Sequence, residues 1–316
     1  MPRAKAPSAD SPDVQAALAP RPYPLTRVGV RGVKKPVTVH RPGHKPSGVV
    51  ARFDLFVDLP KTQKGTHMSR NLEALADILD EEVAREAPSL ENLCRRVALR
   101  LLDKHDYASH AHVKADADYF LTRSNPGGKP SVEVYRLLAE AEAFRGKHTA
   151  NVRKGRTGRG AAQAPATTRR VGVEVVGMSA CPCAMETVRH KLAQAGRKLP
   201  ADLPYITHNQ RNRVTLRLDL PGDADVEAAD LVTLCEQGLS APTYELLKRG
   251  DEGDLVLQAH HNPRFVEDVV REVLHKASAR YGSLGKDTRV FVSSEAEESI
   301  HKHNAYAERT TTFGDL

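Results

Sequence analysis

A chain of 316 residues with 40% hydrophobic and 28% charged residues has ordinary globular composition, and length for one large core or two domains of roughly 100–200 residues each. No apolar run approaches the ~18 residues of a membrane span, the start MPRAKAPSADSPDVQAALAPRPYPL lacks the apolar centre of a signal peptide, and four cysteines fit a reducing compartment; a cytoplasmic protein without a membrane partner is expected. The net charge of +7 comes largely from Arg145 to Arg170, which holds eight Lys/Arg and no acid; without interleaved aromatics or a binding motif there, no specific nucleic-acid partner is expected.

Residues 1–25 are expected to be a disordered Pro/Ala-rich tail. RVGVRGVKKPVTVH (27–40) and GVVARFDLFVDLP (48–60) alternate apolar and polar residues as strands do. Ser69 is placed as the cap of RNLEALADILDEEVARE and Ser89 as the cap of LENLCRRVALRLLDKH, two amphipathic helices. AHVKADADYFL (111–121) and SVEVYRLLAEAEAF (131–144) form a returning hairpin across SNPGGKP, although YRLLAEAEAF also suits a helix. Residues 145–170 follow as a basic, flexible insertion. Then come RVGVEVVGM (170–178), a helix METVRHKLAQAGRK (185–198), a strand RVTLRLDLP (213–221) and a helix DVEAADLVTLCEQG (225–238). DLVLQAHH (254–261) precedes a helix PRFVEDVVREVLHKASARYG (263–282) with Pro at its first turn, and TRVFVSSEAEES (288–299) is the last strand. Two strands, two helices and two more strands, repeated, predict an α+β fold with antiparallel sheets and helices packed on one face. The modules are placed at 26–144 and 171–316. Such sheets expose edges, so the chain is expected to assemble as an oligomer.

Cys181-Pro182-Cys183 stands just after a strand-like run. Residues two apart in an extended segment point to opposite sides, so a disulfide is disfavoured and at least one thiol is free. The spacing is not the Cys-x-x-Cys of a zinc ribbon, so further ligands of any metal must lie elsewhere. Cys94 and Cys235, inside helix-like segments, are expected to be small buried hydrophobes. Polar residues also cluster in QKGTHMSR (63–70), THNQR (207–211) with LLKRGDEGD (246–254), and SIHKHNAYA (299–307). Each alone has an ordinary reading as a solvated loop, a charged turn or two imidazoles on one strand face. Together with the thiol they make the ligand palette of a divalent metal site with open positions for water.

DLPKTQKGTHMSRNLEAL, SACPCAM, HNQR, LLKRGDE, NPRFVEDVVREV and SIHKHNAYA, in this order, resemble the type IB family of GTP cyclohydrolase I, over about Val28 to Ala307. The resemblance implies a bimodular tunnelling-fold subunit and a homotetramer with active sites at subunit interfaces. It also implies conversion of GTP and water to 7,8-dihydroneopterin triphosphate and formate, the entry to folate synthesis. It implies one divalent metal per site, Zn2+, Mn2+ or Fe2+, held by Cys181, His208 and Glu252, most of that site lying in the second module. Glu267 matches the acid that anchors guanine, and an ionised carboxylate is a pure acceptor for the N1–H and exocyclic amine of the base. His301 and His303 match the catalytic histidines, with Cys181 beside them. Alternation keeps both rings from facing the metal unless the strand has ended, and His301 is taken as the nearer. Cys183 is left as a structural or supporting neighbour.

The reaction demands attack of water at C8, and a bound dication brings the pKa of its water to about 7. A histidine titrating near ambient pH then moves protons through loss of formate, sugar rearrangement and ring closure. For the triphosphate, Lys64, His67 and Arg70 at a helix start come first, with Lys248 and Arg249 second; salt bridges at an oligomer interface explain these cations equally well. Two features depart from the family's compact pattern: the basic insertion, and the segment 184–207, which must fold back if Cys181 and His208 are to meet. Rival readings are a 7-cyano-7-deazaguanine reductase-like enzyme of the same fold, an archaeal-like cyclohydrolase yielding the cyclic phosphate with ferrous iron, and a non-catalytic metal- or RNA-binding protein. HNQR and HKH argue against the first; NPRFVED and KGTHMSR have no role in the last.

Overall fold

A computed structural model describes residues 13–39, 47–83, 89–146 and 164–316. The elements run β1 (Leu25–Val39), β2 (Ser47–Leu59), α1 (Met68–Val83), α2 (Leu90–Lys104), β3 (His110–Ser124), β4 (Pro130–Phe144), β5 (Ala166–Ala180), α3 (Pro182–Gln194), β6 (Asn209–Leu220), α4 (Ala228–Gly238), β7 (Ala241–Pro242), α5 (Arg249–His261), α6 (Val266–Tyr281), β8 (Arg289–Ala296) and β9 (Ala305–Thr312). The nine strands pair in the order β1-β2-β3-β4-β5-β6-β8-β9, with β7 on β5, so the chain is a mixed α and β protein built on one antiparallel sheet. Two compact units divide it, the first of residues 1–35, 52–114 and 140–167 and the second of 36–51, 115–139 and 168–316; the boundary cuts across the long strands.

In the first unit α1 lies on α2. Leu75 and Ile78 of α1, Leu93, Cys94, Val97 and Leu101 of α2, and Phe53, Leu55 and Val57 of β2 are buried. Ser69 is not the cap: α1 begins one residue earlier, at Met68. Ser89 does hold the cap position of α2, but its hydroxyl donates to Glu91 instead of serving a backbone N–H. Residues 13–17, inside the expected tail, are tied in, with Lys64 N–H donating to the carbonyls of Gln15 (3.1 Å) and Ala17 (2.8 Å).

β4 resolves the one ambiguous segment. Ser131, Glu133, Tyr135, Leu137, Ala139, Ala141 and Ala143 are buried at every second position, and that period of two prevails over the helix propensity of AEAEA. Of the basic segment, 147–163 lies outside the described residues. At its ends the guanidinium of Arg145 donates to the carbonyls of Asp106 and Leu102, and that of Arg169 to Gly222 and Ala224.

The second unit packs α6 against α4, β8 and β9. Val269, Val270, Val273, Leu274 and Ala277 of α6 meet a core with Val173, Leu216, Leu218, Val290 and Val292 of the strands. Pro263 stands outside α6, which starts at Val266 behind Phe265. DLVLQAHH is the body of α5, and β9 is an additional strand, pairing with β8 from Ala296↔Ala305 to Arg289↔Thr312. Gly177 lacks the Cβ that would run into Leu239 and the Ala241 carbonyl, which lets β7 lie on β5.

Candidate functional site

β5 and β6 pair up to Ala180↔Asn209, and the next rung is Cys181 N–H donating to the His208 carbonyl at 3.0 Å. Two proposed ligands 27 positions apart in number are thus neighbours, because the 182–207 lobe is an excursion between adjacent antiparallel strands. Thr207 Oγ1 closes the base of the lobe by donating to the Cys181 carbonyl at 2.6 Å. No residue of α3 itself is buried.

The segment at the cysteines is not extended. Pro182 opens α3, where its fixed φ suits the first helical position, and Cys181 becomes the N-cap with Ala184 N–H donating to its Sγ at 3.4 Å. The positive end of the helix and an N–H donor therefore face that sulfur. Cys183 is exposed on the first turn, and all four cysteines are free thiols, with Cys94 and Cys235 buried. Burial pushes both of these thiols up.

His208 is half-buried. Its Nδ1 lies 2.8 Å from Gln210 Oε1 and 3.6 Å from Glu298 Oε2. The Gln210 amide nitrogen donates to Glu298 Oε1 (3.1 Å) and Ser179 Oγ (3.3 Å), so the amide oxygen faces the ring. An acceptor at Nδ1 puts the proton there and leaves Nε2 as the lone-pair nitrogen. His260 of α5 adds an imidazole close by, with Nε2 3.3 Å from the Thr207 carbonyl. Gln210, Glu298 and His260 were not among the expected site residues. Gln210 stood inside the quoted HNQR, and Glu298 lies one residue before SIHKH; for His260 no sequence signal exists, since only the fold brings α5 to Thr207.

His301 and His303 stand in the turn after β8, which ends at Ala296, so strand alternation no longer applies. Their rings stack, centroids 5.1 Å apart and 11° from parallel, and both are exposed. The same turn carries Glu298 to His208. Glu252 sits exposed in the first turn of α5, where Asp251 caps the helix by accepting from Lys248 N–H at 3.1 Å. Lys248 and Arg249 are exposed at that helix start. Glu267 is exposed in the first turn of α6 and lines a groove of about 460 Å³ with Arg271, His275 and Arg309. The NPR that precedes it is structural: Asn262 Nδ2 donates to the Leu239 and Ser240 carbonyls, and Arg264 to Gly238 through its side chain and to Ala180 through its backbone.

Lys64, His67 and Arg70 belong to the first unit. His67 Nε2 pairs with Asp13 at 3.1 Å, Arg70 donates to the Lys104 carbonyl at 3.2 Å, and Lys64 is exposed. Among the described residues, the group of three His, Cys, Asp or Glu ligand atoms within 4.8 Å of one another is His112, Glu140 and Glu142; Cys181, His208 and Glu252 do not close into such a set. The sulfur and the free imidazole nitrogen nevertheless suit a borderline dication such as Zn2+ or Fe2+. No helix among the described residues is long and apolar enough to cross a membrane.

A family model described as type I GTP cyclohydrolase folE2 matches residues 11–307. The chain is 40% identical over 315 residues to the GTP cyclohydrolase MptA of Methanothermobacter thermautotrophicus, covering 96% of this chain and 94% of that one. It is 39% identical over 320 residues to the protein of the same name in Methanospirillum hungatei JF-1, covering 98% and 93%. Of solved structures, uricase from Arthrobacter globiformis matches with a TM-score of 0.50 at 8% identity over 91% of this chain and 93% of that one, a likeness of fold alone.

Proposed function

The chain belongs to the type I GTP cyclohydrolase family and is a GTP cyclohydrolase acting on GTP, and on that premise we propose that it is a metal-dependent, type IB enzyme releasing formate and 7,8-dihydroneopterin triphosphate for folate synthesis. The observation that carries the reading is the backbone rung joining Cys181 to His208 at 3.0 Å, which makes neighbours of a residue whose thiol caps a helix and one whose imidazole has a single nitrogen committed. Cys181 and His208 hold the ion, with Glu252 as the carboxylate. A dication held there supplies Lewis-acid activation of the water that attacks C8. Gln210 and Glu298 fix the His208 ring. His301 and His303, exposed and stacked, deliver and remove protons at the opening imidazole ring of the base. Glu267 accepts from the guanine N1–H and amine, and Lys248 and Arg249, with Lys64, His67 and Arg70, take the triphosphate.

The proposal includes a bimodular tunnelling-fold subunit, with modules 26–144 and 171–316, assembled as a cytoplasmic homotetramer whose sites lie at subunit interfaces. Glu252, outside any three-ligand group with Cys181 and His208, is the residue whose position such an assembly must complete. A second reading stays open because the relatives carry the MptA name: an archaeal-like cyclohydrolase that yields the cyclic phosphate.

The test strips metal from the protein, adds GTP with zinc, manganese or ferrous ion in turn, and follows formate and pterin fluorescence beside Cys181→Ala. Metal-dependent pterin formation lost in the variant is expected; the phosphorus spectrum of the product separates a linear triphosphate from a cyclic phosphate. Turnover that no ion restores, in protein that still binds metal, overturns the reading.

A further inference from the structure

Away from Cys181, the first unit carries a second group of ligating side chains. At the ends of β3 and β4 Arg145 N–H donates to the Ser109 carbonyl at 2.8 Å, and counting antiparallel from that rung puts His112 across from Glu142 and two residues from Glu140. His112 Nε2 lies 2.6 Å from Glu140 Oε1, and His110 Nε2 lies 2.8 Å from Glu142 Oε2. The two imidazoles are nearly parallel, 6.2 Å apart, with Phe144 stacked on His110 and Phe56 beside His112. His112 is 1% exposed, Glu140 14% and Glu142 26%. One ligand atom from each of His112, Glu140 and Glu142 falls within 4.8 Å of the others.

A hairpin face that merely needed solubility would not bury two carboxylates and an imidazole together, because each charge loses hydration there. One atom of the group is also left over: His112 Nδ1 is buried without a hydrogen-bond partner. A buried imidazole normally satisfies both nitrogens. Lys114 lies 4.0 Å from Glu140 and is 44% exposed, so its flexible stem can carry the ammonium to water.

We infer that His112, Glu140 and Glu142, with His110 as the fourth donor, form a second divalent-cation site, distinct from the Cys181 centre, that pins the β3–β4 hairpin. Two imidazoles and two carboxylates without sulfur suit zinc, manganese or ferrous ion. Binding replaces the two His–Glu hydrogen bonds by bonds to the ion, with release of any proton the imidazoles hold at their ligating nitrogens.

The experiment titrates Co2+ alone into the chelator-treated full chain and reads stoichiometry and absorption. In a Cys181→Ala background one equivalent per chain is expected to remain, without the thiolate-to-cobalt band, and Glu142→Gln or His112→Gln is expected to abolish it. Glu142→Gln keeps the buried ring in place, and circular dichroism confirms that the fold survives. A Cys181→Ala chain that binds no Co2+, or an equivalent that persists in both further variants, overturns the second site. Failure of the Cys181 reading shows separately, as a thiolate band absent from the unmutated chain.

Discussion

In the first unit His105 is fully buried and uses both ring nitrogens, Nε2 against Asn71 Oδ1 at 2.7 Å and Nδ1 against the Tyr107 hydroxyl at 2.8 Å, with Tyr107 passing on to Thr66 at 2.6 Å. In the second unit His208 stands at a strand end with Nδ1 occupied and Nε2 left over, next to a thiol that caps a helix. The same side chain is thus a structural strut in one place and a candidate ligand in the other. What separates them is the number of partners already committed: an imidazole with nothing left to donate or accept has no chemistry to offer.

The largest effect should come from the exposed histidines, which contribute to no core. His301→Ala is expected to lower kcat by about 10²–10⁴-fold with an unchanged melting temperature, as loss of a general acid-base group does, and His303→Ala to cost less. Steady-state kinetics with GTP beside a thermal melt checks both. Equal losses would make the stacked pair one unit and remove the preference for His301; a loss of stability in place of activity would move these rings to the side of His105.

His105 should show the reverse. His105→Ala leaves the buried Asn71 carbonyl without its partner and takes from the Tyr107 hydroxyl one of its two, a cost of about 2–4 kcal/mol in stability with little change in turnover of the folded fraction. Burial, reinforced by the charge of Arg70, pulls the pKa of this ring from 6.5 down to about 4. The folded state therefore stays neutral where the unfolded chain takes up a proton. Its contribution is intact above pH 6.5 and is lost as pH falls from there to about 4, roughly 3 kcal/mol in all. Denaturant titrations across that range should show the slope in the native chain and a weaker one in the variant; identical slopes would mean that another group carries the acid sensitivity.

Between these extremes lies Gln210, which supports a ligand without being one. Gln210→Ala frees the His208 ring and is expected to weaken metal affinity by about 10–100-fold, the usual cost of losing an outer partner. Competition against a chromophoric chelator measures it. Unaltered affinity with a lowered melting temperature would assign Gln210 to strand packing alone.

The sequence carried the strands β2 and β3 because buried residues there recur at every second position, left β4 open between strand and helix, and carried the amphipathic helices because their buried residues recur at three and four. It did not carry β9, AYAERTTT, whose face is largely exposed and so shows no apolar period. Nor did it show that α5 reaches back to Arg249, since that helix buries only Leu255 and Ala259. At the site, Cys181 and His208 were legible as residue types, and their contact was not: it follows from the β5–β6 register, a property of two strands. Glu298 and His260 were missed for the same reason, as their partners are far along the chain. Ser69 was mistaken for a cap because a hydroxyl before a periodic run fits a cap one residue either way.

The smallest effect concerns the two cysteines themselves. Cys183 is exposed on the first turn of α3, and the hydrogen bond it accepts from Thr187 Oγ1 at 2.9 Å is made by its carbonyl and survives substitution. Cys183→Ala is therefore expected to change stability by no more than about 0.5 kcal/mol, as for other exposed sites, and to leave metal content and kcat within about twofold. Cys181→Ala in parallel should lose both. The contrast is informative because the two residues share a helix start and a chemistry, while Cys181 alone of the pair caps the helix with its sulfur and is joined to His208 by a backbone rung. If Cys183→Ala also empties the metal site, the ion is held by both sulfurs around Pro182, and the selection made by the strand register is no longer what distinguishes ligand from neighbour.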